Sequence, residues 1–437
     1  MSEEFGYTDM GYDGAGPWAY RKLAGSELTK ELSQAANAQS ILGADIICSW
    51  SFSGVFDGKP PFIEIVRLGN LYRTGHAGEE TVDYVHEKLP SILHDFLANA
   101  LKSAGEGILS RDVVSKVLVD SISELDNAIT RDILDIFPGG PEDLEKMSDE
   151  QIDTIVNDFG SGGVNNAKLL LGMRGSTVLI DTIVNDFGSG GVNNAKLLLG
   201  MRGSTVLVSL VDPSGSNLYV ASLGDCQAVL GTKSSSGGWK AELLSHNHNG
   251  KEESEVARIR REHPGEDDTC VLEDRVLGAI AVTRAIGDHE FRLPAIFTER
   301  VLVKTHPGFK LSTVLTDWLP RNKTPPYLSN IADVDHVDLA ATEKEGRFLI
   351  MCSDGLTDLY VHDDDRKDIN TLQEVADKIV NVLSTRSAPP GLDSNNSALH
   401  LLREAMGGSD EDKVSRNLTV QMAFRWMDDV TIVVQSL

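Results

Sequence analysis

The chain has 437 residues, 41% of them hydrophobic and 24% charged, with a formal net charge of −26. That length can bury one large core or two of ordinary size, and no apolar run reaches the roughly 20 residues of a membrane span. So acidic a total excludes nucleic acid and anionic membrane as natural partners.

Residues 1–25 are rich in Gly and Tyr without a period, and residues 1–40 as a whole read as a partly disordered lead. Glu3, Glu4, Asp9 and Asp13 precede the first basic residue, Arg21, which is unlike a signal or transit peptide. The expected address is cytoplasmic, with a nuclear or mitochondrial one left open. Ser26 to Ala38 reads as a short helix with Ser26 as its N-cap. Trp50 to Val55 is an apolar alternation that runs into Asp57-Gly58, so a strand ends in an acid. Pro60 and Pro61 forbid continuation of that ladder, and Ile63 to Leu68 could form a short edge strand.

From Glu79 to Ala104 the apolar residues Val82, Val85, Leu89, Ile92, Leu93, Phe96, Leu97 and Leu101 recur at the spacing of an amphipathic helix, bent at Pro90. A second helix is expected from about Ser110 to Phe137, closed by Pro138-Gly139-Gly140. Residues 152–179 then recur letter for letter as 180–207. Two identical copies are not a solenoid; they point to a recent tandem duplication or a gene-model error. Only the second copy flows into a strand, Thr205 to Val211, so the first is expected to be the surplus one.

Leu218 to Leu223 is the next strand and ends in Gly224-Asp225. Glu252 to Glu262 reads as a charged helix, Val282 to Ile286 as an apolar helical stretch ending at Gly287-Asp288, and residues 305–330 as Pro-rich loop. Phe348 to Cys352 is short and wholly apolar, as a strand buried on both faces would be. It runs into Ser353-Asp354-Gly355, and Asp358 follows Asp354 by one helical turn. Two such hard oxygen ligands suit magnesium or manganese; the same residues also fit an N-cap Asp followed by a solvated Asp. Leu372 to Leu383 is an amphipathic helix, Asp393 to Lys413 a polar, mobile segment, and Asp428-Asp429 open a last strand to Val434.

Asp57, Asp225, Asp354 and Asp428 thus all stand at strand termini, each beside Gly or a second Asp. Any one alone is a turn residue as readily as a ligand. Four in like positions suggest convergence at one rim of a sheet sandwich, where carboxylates repel one another unless cations fill the cluster. The four cysteines, Cys48, Cys226, Cys270 and Cys352, form no C-x-x-C pair, which gives no zinc signature and fits a reducing compartment. A cysteine phosphatase is excluded at Cys352, because the position six residues on is Asp358 rather than Arg.

Successive motifs, G-V-F-D-G at 54–58, G-S-T at 203–205, L-Y-V-A-S-L-G-D at 218–225, R-V-L-G-A-I-A-V-T-R-A-I-G-D at 275–288, F-L-I-M-C-S-D-G-L-T-D at 348–358 and D-D-V-T-I-V-V at 428–434, resemble the metal-dependent serine/threonine protein phosphatases of type 2C. Residues 244–249 and 257–264 are similar to the branch that contains the pyruvate dehydrogenase phosphatases. The resemblance implies an α+β fold, an α-β-β-α sandwich of two antiparallel sheets flanked by helices, filling residues 41–437 as one monomeric domain with a metal site at one end. It implies phosphorylated proteins as substrates and two Mg2+ or Mn2+ ions, with a weaker third site. Asp57 would bridge the two ions with the Gly58 carbonyl on one of them, Asp354 and Asp428 would complete the other, and Asp225 with Asp358 would serve the third. His76 would protonate the leaving alkoxide.

The chain departs from that pattern in two places. Lys59 follows Gly58 where the family has His, while Gly75-His76-Ala77-Gly78 comes 17 residues later, as though an insert, 59–75, splits one motif. The codons GGUAAG for Gly-Lys would contain a splice donor, so retained intron sequence is one explanation. His76 is equally well read as an exposed loop histidine. The Arg-x-x-x-Glu-Asp stretch of the family is missing between residues 26 and 50. These losses keep a catalytically impaired, partner-binding pseudophosphatase as the alternative. A haloacid-dehalogenase-type reading of Asp333-Val334-Asp335-His336-Val337 lacks the hydrophobic strand it needs before Asp333.

Overall fold

The computed structural model describes residues 9–13, 16–20, 22–23, 25–35, 45–47, 49–56, 80–105, 108–158, 191–234, 237–306, 308, 315–341, 346–361, 371–385, 396–420 and 427–437. The chain divides into two compact units, one drawn from residues 1–73, 207–246 and 334–437 and the other from 74–206 and 247–333.

In the first unit, strands distant in sequence build two sheets: β1 (Asp45–Ile47), β2 (Trp50–Val55), β3 (Val206–Val211), β4 (Asn217–Leu223), β5 (Gln227–Lys233), β6 (Trp239–Leu243), β7 (Asp333–Asp338), β8 (Arg347–Cys352) and β9 (Ile432–Ser436). One sheet has the order β7-β4-β3-β2-β1, the other β9-β8-β5-β6. The pairs β1–β2 and β2–β3, and all three pairs of the second sheet, are antiparallel. This is the expected α+β class.

Successive residues of a strand face opposite ways, and that explains the unbroken apolar run of β8. Leu349 and Met351, with Ala228 and Leu230 of β5, join Val55, Leu207, Leu218 and Val220 of the first sheet in one core. Ile350 and Cys352, with Val229, turn the other way onto Leu356, Tyr360, Ile379, Leu402 and Met406 of the covering helices. Burying each such Leu, Ile or Met contributes about 1.5–3 kcal/mol, so one strand ties two cores together. Leu28 and Leu32 of the helix Gly25–Ala35 enter the second core, which anchors part of the lead. Asp9–Asp13 and Gly16–Tyr20 of that lead pair as a hairpin.

Of Asp393 to Lys413, the described part, 396–413, is not the mobile segment its polarity suggested. It holds the helix Ser397–Met406, capped by Asn396, and the start of Glu411–Thr419, capped by Asp410. Leu399, Leu402, Met406, Val414 and Leu418 are buried, and so are Arg403, Ser415 and Thr419, with Arg403 donating to the Gly408 carbonyl and Thr419 to the Ser415 carbonyl.

The second unit contains the two long helices, Glu80–Ala104 and Arg111–Ile136, the latter capped by the Ser110 hydroxyl, which accepts from the Val113 amide. The duplicated segment is shared between its copies. Ile152–Asn157 of the first copy lies in the helix Asp149–Asn157, where a capping box of Ser148 and Gln151 starts it and Ile152 and Val156 are buried. Val192–Met201 of the second copy forms the next helix, and its Asn193 side chain donates to the Ile155 carbonyl at 2.9 Å. The first copy is therefore not wholly surplus: its opening residues are in the core.

Ile286–Gly287 is also not helical. It pairs with Gly203–Ser204, and Gly287 has φ +80° with space so tight that a Cβ would sit 1.9 Å from the Arg202 carbonyl oxygen. Within 305–330, a short helix Leu315–Trp318 carries Trp318 fully buried against Phe291, where loop was expected.

Two buried carboxylates hold this unit's loops. Asp126 accepts from the Gly287 amide (2.8 Å), the Asn330 side chain (2.9 Å) and Arg292. Glu255 accepts from Arg284 (2.7 and 3.1 Å), Arg258 (2.9 and 3.3 Å) and the Thr283 hydroxyl (2.6 Å). Burial alone would raise the Glu255 pKa, but these hydrogen bonds outweigh it and hold the carboxyl well below the usual range. Arg284 thus serves a carboxylate.

Candidate metal centre

The sheet β9-β8-β5-β6 brings three of the expected carboxylates to one end. In register, Cys352 at the end of β8 pairs with Gln227 at the start of β5 and with Ile432 at the start of β9. Asp225 lies two residues before Gln227, and Asp354 two residues beyond Cys352, where β8 has given way to the helix Asp354–Val361. Asp428 lies just before β9 on the other flank. Asp225, Asp354 and Asp428 are half-buried, and Asp358 is exposed one turn along the helix Asp354–Val361.

Backbone contacts fix these segments. The Ser353 amide donates to the Thr431 carbonyl at 3.1 Å, the Thr431 amide donates to Ser353 Oγ at 2.9 Å, and Ser353 Oγ donates to the Asp429 carbonyl at 3.1 Å. Gly355 lies so close to the same segment that a Cβ would come within 2.3 Å of the Asp429 carbonyl oxygen. The Asp429 amide donates to Asp428 Oδ1 at 2.8 Å, which orients that carboxylate. The Gln227 side chain donates to the Asp225 carbonyl at 2.9 Å, and the Thr357 hydroxyl to the Asp354 carbonyl at 2.8 Å.

Carboxylates near neighbouring strand ends are a hard-oxygen donor set, which suits Mg2+ or Mn2+ better than a soft metal. Among the described residues, however, no group of three or more His, Cys, Asp or Glu is gathered closely enough to hold an ion by itself. The set implied by the resemblance is larger, and its remaining members, Asp57 and Gly58, lie outside the described residues, as does His76. The edge strand expected at Ile63 to Leu68 lies outside them too. Asp57 follows the end of β2 by two positions.

Other chemistries fall away. Burial, then the charge of Asp354, pushes the Cys352 thiol up to about 12, so it is not a thiolate nucleophile. Asp333 is engaged by His248 (2.9 Å) and Arg284 (3.3 Å) and opens a strand at a sheet edge, which removes the haloacid-dehalogenase reading. Among the described residues, no helix is long and apolar enough to cross a membrane.

Comparison with known proteins bears on the same residues. The bovine mitochondrial pyruvate dehydrogenase (acetyl-transferring) phosphatase 1 is 30% identical over 246 residues, covering 50% of this chain and 45% of the relative. The human mitochondrial phosphatase 2 of the same name is 31% identical over 246 residues, with the same two coverages. A protein phosphatase 2C homolog of Schizosaccharomyces pombe is 30% identical over 234 residues, covering 50% of this chain and 49% of that one. The chain spans about half the length of the curated relatives it matches. The protein phosphatase 2C profile matches residues 167–387, a span that includes Asp225, Asp354 and Asp358. That span is half of the sequence, and the chain belongs to the protein phosphatase 2C family.

Proposed function

We propose that the protein hydrolyses phosphoserine and phosphothreonine on proteins with the help of two Mg2+ or Mn2+ ions. What supports this reading is that Asp225, Asp354 and Asp428 each lie within a few residues of the paired ends of β5, β8 and β9, in a chain of this family. Asp57, the Gly58 carbonyl, Asp354 and Asp428 would hold the two ions, with Asp225 and Asp358 at a weaker third site. When bound, the ions would polarise the phosphoryl group and supply a hydroxide nucleophile at neutral pH. The role of this chain's own groups is to hold the acids in place, which the hydrogen bonds tying residues 429–431 to Ser353 and the short turn at Asp225 favour. His76 would deliver the proton to the leaving serine or threonine oxygen.

Substrates of the kind named by the mammalian relatives, phosphorylated dehydrogenase subunits, are the first to try. We further propose a monomer acting in the cytoplasm, where the buried free thiols Cys226, Cys270 and Cys352 stay reduced.

The test is turnover of a phosphothreonine peptide in Mn2+ by the full chain and by a variant lacking residues 59–75, which joins Gly58 to His76. The deletion should raise turnover, and His76→Ala in that background should remove the gain, roughly 10²–10⁴-fold for a general acid. Absence of Mn2+-dependent turnover in both folded proteins would favour a partner-binding pseudophosphatase instead.

A further inference from the structure

Ser353 carries the backbone pairing of β8 one step beyond its ladder. The β8–β9 ladder ends at Cys352–Ile432. One residue further, the main chain still makes one bond, from the Ser353 amide to the Thr431 carbonyl, but the return bond from the Thr431 amide ends on the Ser353 hydroxyl. The same hydroxyl donates its own hydrogen bond to the Asp429 carbonyl. One side-chain oxygen, 1% exposed as part of its residue, therefore bridges two backbone groups of the facing segment. This lets β8 turn into the helix Asp354–Val361 while residues 429–431 stay attached to it. Gly355 completes the approach, because any Cβ there would strike the Asp429 carbonyl.

We propose that Ser353 is a positioning residue of the metal centre: its hydroxyl sets the separation of Asp354 and Asp428 by tying the backbone on either side of them. The inference rests on the reading of those two acids as ligands of one ion. A hard cation such as Mg2+ accepts little error in ligand placement, and partners that orient metal ligands typically matter by about 10–100-fold in metal affinity.

The experiment measures Mn2+ binding to the full chain by calorimetry and by the loss of the free-ion EPR signal, without substrate. Ser353→Ala should weaken Mn2+ binding about 10–100-fold, and Ser353→Thr, which keeps the hydroxyl, should restore it to within a few fold of wild type. Asp354→Asn should abolish binding. If Ser353→Ala does not fold, as far-UV circular dichroism will tell, Ser353→Cys keeps a similar volume while lengthening both contacts and should show an intermediate loss. Wild-type affinity in the folded Ala or Cys variant, with Asp354→Asn inactive in binding, overturns the role of Ser353. Undiminished Mn2+ binding by Asp354→Asn overturns the metal reading itself.

Discussion

Deleting residues 159–186 leaves one complete copy of the repeat, with Asp158 followed by the second copy's Phe187. Because the copies are identical, the product has the same sequence as a deletion of 152–179. The helix Asp149–Asn157 ends at its C-cap Asp158, and the next described element begins at the N-cap Gly191. The 32 residues 159–190 between these caps would become four. Five peptide links reach about 17 Å when extended, and the 2.9 Å bond from Asn193 to the Ile155 carbonyl shows that the two helices approach one another near these ends. An eightfold shorter closure lowers the entropic cost of joining the helices by about 1.8 kcal/mol. At roughly 2–4 °C per kcal/mol for a unit of this size, the melting temperature should rise by roughly 4–7 °C. Differential scanning calorimetry of the two proteins at equal concentration reads this directly. A fall of several degrees would mean that residues 159–186 supply contacts worth more than their closure costs, and the reasoning would be wrong.

Glu255→Gln leaves Arg258 and Arg284 without their buried counter-charge and should cost about 3–5 kcal/mol in urea unfolding; a loss below about 1 kcal/mol would show that the knot contributes little. Burial holds His248, His263 and His289 below the ordinary histidine pKa, in His248 against the hydrogen bond with Asp333. The unfolded chain then binds protons that the folded one resists, so stability present above about pH 6.5 should be lost as the pH falls below it. The urea midpoint should accordingly drop between pH 7.5 and 5.5, and a flat or rising midpoint would contradict the burial argument.

The placement of acids near strand ends could be read from the chain because strand and acid are adjacent in sequence. The run Phe348 to Cys352 announces a strand buried on both faces, and β8 has Leu349 and Ile350 in different cores. Ser353-Asp354-Gly355 then marks its exit. What the residues could not give was the partner: that Cys352, two residues before Asp354, pairs with Gln227, two residues after Asp225, depends on a register across more than a hundred residues. The same limit hid Ile286–Gly287, whose two-residue pairing with Gly203–Ser204 leaves no periodicity to detect. The helices after Asn396 were legible but were overruled by polarity; Leu399, Leu402 and Met406 keep helical spacing behind a proper N-cap. Identity between the repeat copies removed any internal signal of which half folds. The flanks did carry one, since only the first copy follows Ser148 and only the second continues into Val208 to Val211. Ser353 was missed because a hydroxyl in a turn is unremarkable until its two backbone partners, 76 and 78 residues away, are known.

The central claim is metal-dependent phosphate release by the acids at the end of β8. Its most direct measurement is phosphate release from a phosphothreonine peptide, titrated with Mn2+, for the full chain and for Asp354→Asn. The account predicts a rate that rises with Mn2+, vanishes on chelation, and falls by at least about a hundredfold in the variant, about 2.7 kcal/mol of transition-state stabilisation. Equal rates in the two proteins, or release that persists undiminished in chelator, would contradict it.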